Sequence, residues 1–226
     1  MFTGFSEKTG GFLWELSFNN ERPWFLAHRQ EFEDVVHTPF KALAKDAIDL
    51  MNARFPDFEG AAHLSRIYRD ARRLFGRGPY KDNLWFAVRS GEEDWQGRPT
   101  FWFEIGPDFY QYGLGFWAPG AAVLAQYRKY IDEHADEFAK LVRRFNRQSE
   151  FVLEGESYAR PKGDPGKLLY PWYQKKNIML VHTVTPLDDR IFDPALADDV
   201  AKGLTELVPF YQFFAKVLAS VPTEER

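Results

Sequence analysis

The chain has 226 residues, enough for one domain with a sizeable core, and 17% of them are aromatic, so ring packing should dominate burial. A formal charge of -4 argues against a surface that attracts polyanions as a whole, while leaving room for a local basic patch. With no cysteine, disulfides, thiolate nucleophiles and cysteine-held metal clusters are excluded, and a reducing, cytoplasmic compartment is expected.

Met1 to Glu7 carry no basic segment followed by an apolar run, and no stretch approaches the roughly 20 apolar residues of a membrane-crossing helix. No membrane partner is expected. Ser6 is a suitable N-cap for a first helix whose Phe12, Leu13 and Leu16 share a face. Asn20 can cap a second helix, with Pro23 in its first turn and Phe25, Phe32, Val35 and Val36 as the buried stripe. The pattern restarts at Thr38-Pro39 and continues through Phe40, Leu43, Ala44, Ala47, Ile48, Leu50 and Met51 until Phe55-Pro56.

After Gly60 the runs at residues 64–71, 84–89, 100–106 and 109–115 are short, aromatic or β-branched, and are punctuated by Gly, Pro and Asp. The last three are joined too closely for helical crossovers, so an antiparallel meander is expected rather than a Rossmann fold. Helical spacing returns from Pro119 in two stretches, through Tyr130-Ile131 and then through Phe145. A Gly-, Pro- and charge-rich loop at 154–166, a short helix near 168–174 and a strand at 178–184 follow. Asp193-Pro194 opens a last helix, which Pro209 should kink or break. The expected architecture is a single α+β domain over 1–226, with an antiparallel sheet of four to five strands flanked by N-terminal and C-terminal helices.

Asn19-Asn20-x-Arg22-x-Trp24-Phe25-x-x-His28, Arg66-x-Tyr68-Arg69-Asp70-x-Arg72, Pro79-Tyr80-Lys81 and Gly113-x-Gly115-x-Trp117-x-Pro119 occur in that order. This succession resembles the DUF2461 family over most of the chain. Arg160-Pro161 and Lys175-Lys176 look like that family's later landmarks. The resemblance implies an α+β fold and a cytoplasmic setting, and no reaction. One departure stands out: the family's Arg-Phe-Ser-Lys-Asp-Lys-like run is here Arg73-Leu74-Phe75-Gly76-Arg77-Gly78, so Arg73 and Arg77 replace two lysines or the ligand differs.

The densest chemistry lies at 66–81. On an extended strand, alternation puts Arg66, Tyr68, Asp70 and Arg72 on one face and Ile67, Arg69 and Ala71 on the other. Guanidinium forks not taken by Asp70 can hold a carboxylate or phosphate bidentately, and Tyr80 and Lys81 extend the set. The alternative is an internally paired face in which Asp70 and Glu104 neutralise the arginines. Gly76-Arg77-Gly78-Pro79 is either an anion-binding nest or, more simply, a turn. Trp24 and His28, four apart on a helix, can cap such a site or pack against each other.

Five dispersed histidines give no metal-ligand spacing, and neither Gly-x-Ser-x-Gly nor a phosphate loop is present, so no metal, cofactor or reaction is implied. Two function classes remain. One is a small-molecule protein or enzyme that binds an anionic ligand through Trp24, His28, Arg66, Tyr68, Arg69, Asp70, Arg72, Tyr80 and Lys81. The other is a non-catalytic module that meets nucleic acid or protein through the basic, ring-rich segment 158–176, where Arg160, Lys162, Lys167, Lys175 and Lys176 alternate with Tyr158, Tyr170, Trp172 and Tyr173.

Overall fold

The structure is a computed structural model that describes residues 1–74, 76–89 and 97–222, the side chain of Arg73 excepted. Helix α1, Glu7–Phe18, starts behind an extended Ser6, whose backbone N–H donates to Thr9 Oγ1 at 3.2 Å. The chain continues through α2 (Arg22–Ala27), α3 (Arg29–Phe32) and a wide π turn (Glu33–His37) into α4 (Thr38–Arg54). Proline explains the irregular join: Pro39 has no N–H to offer the Val35 carbonyl one turn earlier. The buried Thr9 hydroxyl donates to that carbonyl instead, at 2.6 Å. Beyond it, Phe40, Leu43, Ala44, Ala47, Ile48 and Met51 form the expected buried stripe, while Leu50 stays at its margin.

The six strands are β1 (Ala61–Leu64), β2 (Leu84–Arg89), β3 (Thr100–Ile105), β4 (Tyr110–Phe116), β5 (Val152–Glu154) and β6 (Ile178–Val184). They form one antiparallel sheet in the order β1-β2-β3-β4-β6-β5, so the meander of β2, β3 and β4 is present and the strand count is six rather than four to five. The additional strand is β5, which pairs with β6 in the register Leu153↔Leu180.

The expected strand at 64–71 requires correction. β1 lies at Ala61–Leu64 and ends in the register Leu64↔Phe86. Ser65 stops it: its backbone N–H donates to the Trp85 carbonyl at 2.7 Å, but its hydroxyl accepts the Trp85 N–H at 3.0 Å, a place a continuing strand fills with backbone. Five residues later Asp70 caps a 3-10 turn, Ala71–Arg73, by accepting the Arg72 N–H at 3.0 Å. The face on which Arg66, Tyr68, Asp70 and Arg72 would have aligned is therefore not formed.

By their internal contacts the residues fall into two compact units. One comprises Met1–Ser90, Trp102–Tyr112 and Thr183–Thr205; the other comprises Gly91–Phe101, Gly113–His182 and Glu206–Arg226. In the first, Phe40 of α4 meets Phe86 of β2 and Phe103 of β3 at 5.6 and 6.3 Å. The second gathers α5 (Ala121–Glu133), α6 (Ala135–Phe145), the short α7 (Tyr170–Tyr173) and α9 (Val208–Ala219). Trp172 stacks on Phe210 at 5.1 Å and Phe138 on Phe213 at 4.6 Å, so rings carry this core as the composition suggests. Gly113 belongs here too, because a Cβ would stand 1.8 Å from the Leu180 carbonyl oxygen and block the approach of β6. The expected break at Pro209 is present, with α8 (Leu196–Glu206) ending just before it and the proline in the first turn of α9. Among the described residues no helix is long and apolar enough to cross a membrane.

Thr9→Val keeps the side-chain shape but withdraws the donor from Val35 and the acceptor from Ser6. Stability should fall by about 1–3 kcal/mol in urea unfolding; an unchanged midpoint would show that the Thr9 bond does not sustain the join.

Candidate functional site

The first unit brings two distant segments together. Arg69 N–H donates to the Pro79 carbonyl and Lys81 N–H to the Ile67 carbonyl, each at 2.7 Å, which makes Tyr68 and Tyr80 an antiparallel bridge. A single carboxamide holds this pair in place. Asn20 Nδ2 donates to the Tyr80 carbonyl and Asn20 Oδ1 accepts the Tyr80 N–H, both at 2.9 Å. Asn20 is thus not the helix cap expected of it; Glu21 occupies that position. The clamp also accounts for Gly78, where a Cβ would lie 2.2 Å from Asn20 Oδ1.

Alternation across the bridge separates two environments. On one side Tyr80 is buried, stacks on Phe25 at 4.2 Å and meets Tyr68 at 5.2 Å. Burial pushes the Tyr80 phenol above its ordinary pKa, with Tyr68 acting in the same direction and the Arg22 charge opposing both. On the other side lie Arg69 and Lys81. Arg69 Nε donates to the Tyr80 carbonyl at 2.6 Å, and its Nη2 meets Asp82 Oδ1 at 3.2 Å, so this guanidinium is largely used internally.

Lys81 is different. It is half-buried, and its ammonium lies 5.6 Å from the centre of the Trp85 ring and makes no hydrogen bond or ion pair among the described residues. Burial, together with the Arg69 charge and against that of Glu104, lowers it from the ordinary 10.5 to about 8. Glu104 is occupied from two sides: Asn83 Nδ2 donates to it, as does Gln111 Nε2 at 2.6 Å, and Thr183 Oγ1 bonds Gln111 in turn at 3.3 Å. His63 lies 6.3 Å from Trp85 and is held below its usual pKa by burial first and then by Arg89 and Arg66. Arg66 is exposed and has no ion-pair partner among the described residues. The result is a polar sheet face around Trp85, on the opposite side from Phe86 and Phe103, on which two cations, Arg66 and Lys81, are unpaired.

Other candidate residues stand apart. Arg72 grips Asp70 through Nε and Nη2 at 3.0 and 2.8 Å, but its side chain is 88% exposed, so the pair belongs to a solvated turn. Trp24 and His28 stack on one another at 4.2 Å, and His28 Nδ1 bonds the Trp24 carbonyl at 2.8 Å. Trp24 also meets Phe12 at 5.6 Å, and no hydrogen bond or ring contact joins either residue to Lys81 among the described residues. The turn reading of 76–79 fits Arg77, whose N–H closes onto the Leu74 carbonyl at 2.8 Å. Arg73, offered with Arg77 as a lysine replacement, lies outside the described side chains, and Phe75 outside the described residues. Asn83, Trp85 and Gln111 were missed; period-2 alternation in β2 and β4, with Phe86 and Tyr110 facing inward, was the available signal. Among the described residues no three His, Asp or Glu side chains gather to hold a metal ion.

In the second unit, segment 158–176 is docked through residues 169–174, while most of 159–168 is exposed. Leu169, Trp172, Tyr173 and Gln174 are buried, and Tyr173 Oη donates to Asp132 at 2.9 Å.

A family model described as "Conserved hypothetical protein (DUF2461)" matches residues 8–213. The chain belongs to the DUF2461 family. No curated protein matches it. In this DUF2461 chain the landmarks converge physically, since Phe25, Tyr68 and Tyr80 contact one another and Asn20 bonds Tyr80.

Asn20→Ala strips both backbone groups of Tyr80 of a partner and should cost about 1–3 kcal/mol in urea unfolding; no loss would show that the bridge holds without the clamp. Lys81 sets a pH signature. Below about pH 8 its ammonium is charged in both folded and unfolded chains, so the burial cost is fully present. Between about 8 and 10.5 the folded chain binds fewer protons, so stability rises with pH. The stability advantage of Lys81→Met should accordingly be largest at neutral pH and shrink across that window, and a difference independent of pH would contradict this environment.

Proposed function

We propose that this protein binds a small phosphate- or carboxylate-bearing molecule on the Trp85 face of the sheet, with Lys81 as the principal contact. The observation that carries the reading is the half-buried Lys81 ammonium, which makes no hydrogen bond or ion pair among the described residues. An ammonium withdrawn from water gains most from an anion that replaces its lost solvation. Arg66 adds a second unpaired cation, and Asn83 and Gln111 present amides that donate to Glu104. Arg69 acts behind this surface, fixing the Tyr80 backbone and adding positive charge beside Lys81.

The same residues bear on chemistry. A lysine lowered to about 8 keeps a substantial neutral fraction near physiological pH, which is what a nucleophilic or proton-accepting amine needs. The present geometry supports binding, and incubation with a carbonyl compound would test for chemistry at Lys81. We also propose a cytoplasmic setting, supported by a chain without cysteine.

Thermal unfolding in a panel of phosphate- and carboxylate-bearing metabolites tests the reading. A ligand present at about 100 times its dissociation constant should add roughly 2.7 kcal/mol of stability. Lys81→Met should abolish that gain, whereas Arg72→Ala in the solvated turn should preserve it. A gain that survives Lys81→Met would place the anion elsewhere.

A further inference from the structure

The second unit contains a cavity of about 610 Å3, bounded by residues that include Phe151, Ser157, Tyr158, Tyr170, Trp172 and Lys175. Its volume lies within the roughly 300–1,000 Å3 typical of small-molecule sites. One wall is built before any ligand arrives. Tyr158 N–H donates to the Gln174 carbonyl at 2.8 Å, and the buried Gln174 side chain accepts from Lys162 N–H and donates to the Gly163 carbonyl, both at 2.8 Å. The loop is therefore tied to α7 at several points along 158–163.

Charge is concentrated at the same wall. Lys162, Arg128 and Lys176 place their cationic groups 4.6, 5.4 and 5.9 Å from the centre of the Tyr158 ring. Arg128 Nη1 is buried without a hydrogen-bond partner, and Glu156 meets only Lys176 of the three, at 3.3 Å. Within the cavity lining, Lys175 donates one hydrogen bond, to the Gly155 carbonyl at 2.7 Å, and has two further N–H groups. Tyr170 is 38% exposed and touches no other ring among the described residues.

We propose that this cavity binds an organic anion carrying a flat aromatic ring, with its phosphate or carboxylate at Lys175 and its ring against Tyr170 and Tyr158. The exposed Tyr170 ring supplies the stacking surface, and the three cations within 5.9 Å of the centre of the Tyr158 ring, itself part of the lining, add positive charge at that wall. The site is separate from the Lys81 face and does not depend on it.

Calorimetric titration with adenosine 5′-monophosphate and with nicotinate separates the phosphate from the carboxylate source, with adenosine and nicotinamide as the uncharged counterparts. At least one anion should bind saturably and more tightly than its counterpart by about tenfold or more, the value of a charge-assisted hydrogen bond. Tyr170→Ser, at an exposed ring, should weaken it while leaving the melting temperature unchanged, and Lys175→Met should weaken it as well. Should Lys175→Met fail to fold by circular dichroism, Tyr170→Ser carries the test alone. Lys81→Met should leave this binding intact, so the two sites fail independently. Absence of saturable binding by both anions, or full binding in Tyr170→Ser, overturns the proposal. So does an oligothymidylate that binds more tightly than the mononucleotide and is released steeply by salt, since that identifies a strand-binding surface.

Discussion

Both hydrogen bonds of the Asn20 carboxamide go to the backbone of Tyr80, and the candidate site follows from them. Residues 79–81 follow a Gly-Arg-Gly turn and would have little reason to stay extended on their own. With N–H and C=O of Tyr80 both held, the segment pairs with 67–69, and alternation sends Tyr80 towards Phe25 and Lys81 to the opposite side. The Tyr80 carbonyl also accepts from Arg69 Nε, which brings a second cation beside Lys81. One amide thereby couples an aromatic cluster to a charged surface.

That surface uses an antiparallel sheet in a familiar way, with one face buried under helices and the other polar. Phe86 and Phe103 pack under α4, while Trp85, Glu104 and Gln111 occupy the alternate positions. What departs from an ordinary solvated face is the pairing pattern. Glu104 is engaged by two amides rather than by Lys81, so an acid and a base stand near one another without neutralising directly. A lysine kept short of partners in a half-buried position is costly to the fold, and an anion bound there would offset that cost.

Much of the architecture was legible from period and punctuation alone. The runs at 84–89 and 178–184 became strands with those bounds, and α1, α4, α5 and α6 lie where apolar spacing put them. The failures were local and share a cause: short polar side chains that bond backbone. Ser65 and Asp70 ended the strand on which the arginine face depended, and Asn20 left its expected cap to hold a residue sixty positions away. Such bonds depend on which segments meet, which periodicity does not encode. Lys81 and Arg69 were recognisable as candidates by their company in sequence, but their division of labour, one satisfied and one not, appears only when Asp82, Asn83, Glu104 and Gln111 are placed around them.

The most direct test is to follow the titration of Lys81 itself, by NMR of the protein with and without a phosphate or carboxylate ligand. The account predicts that Lys81 titrates near 8 in the free protein, well below the ordinary 10.5, and moves upward when the anion binds. A Lys81 that titrates at its ordinary value and ignores every anion would contradict both the burial of the ammonium and the role assigned to it.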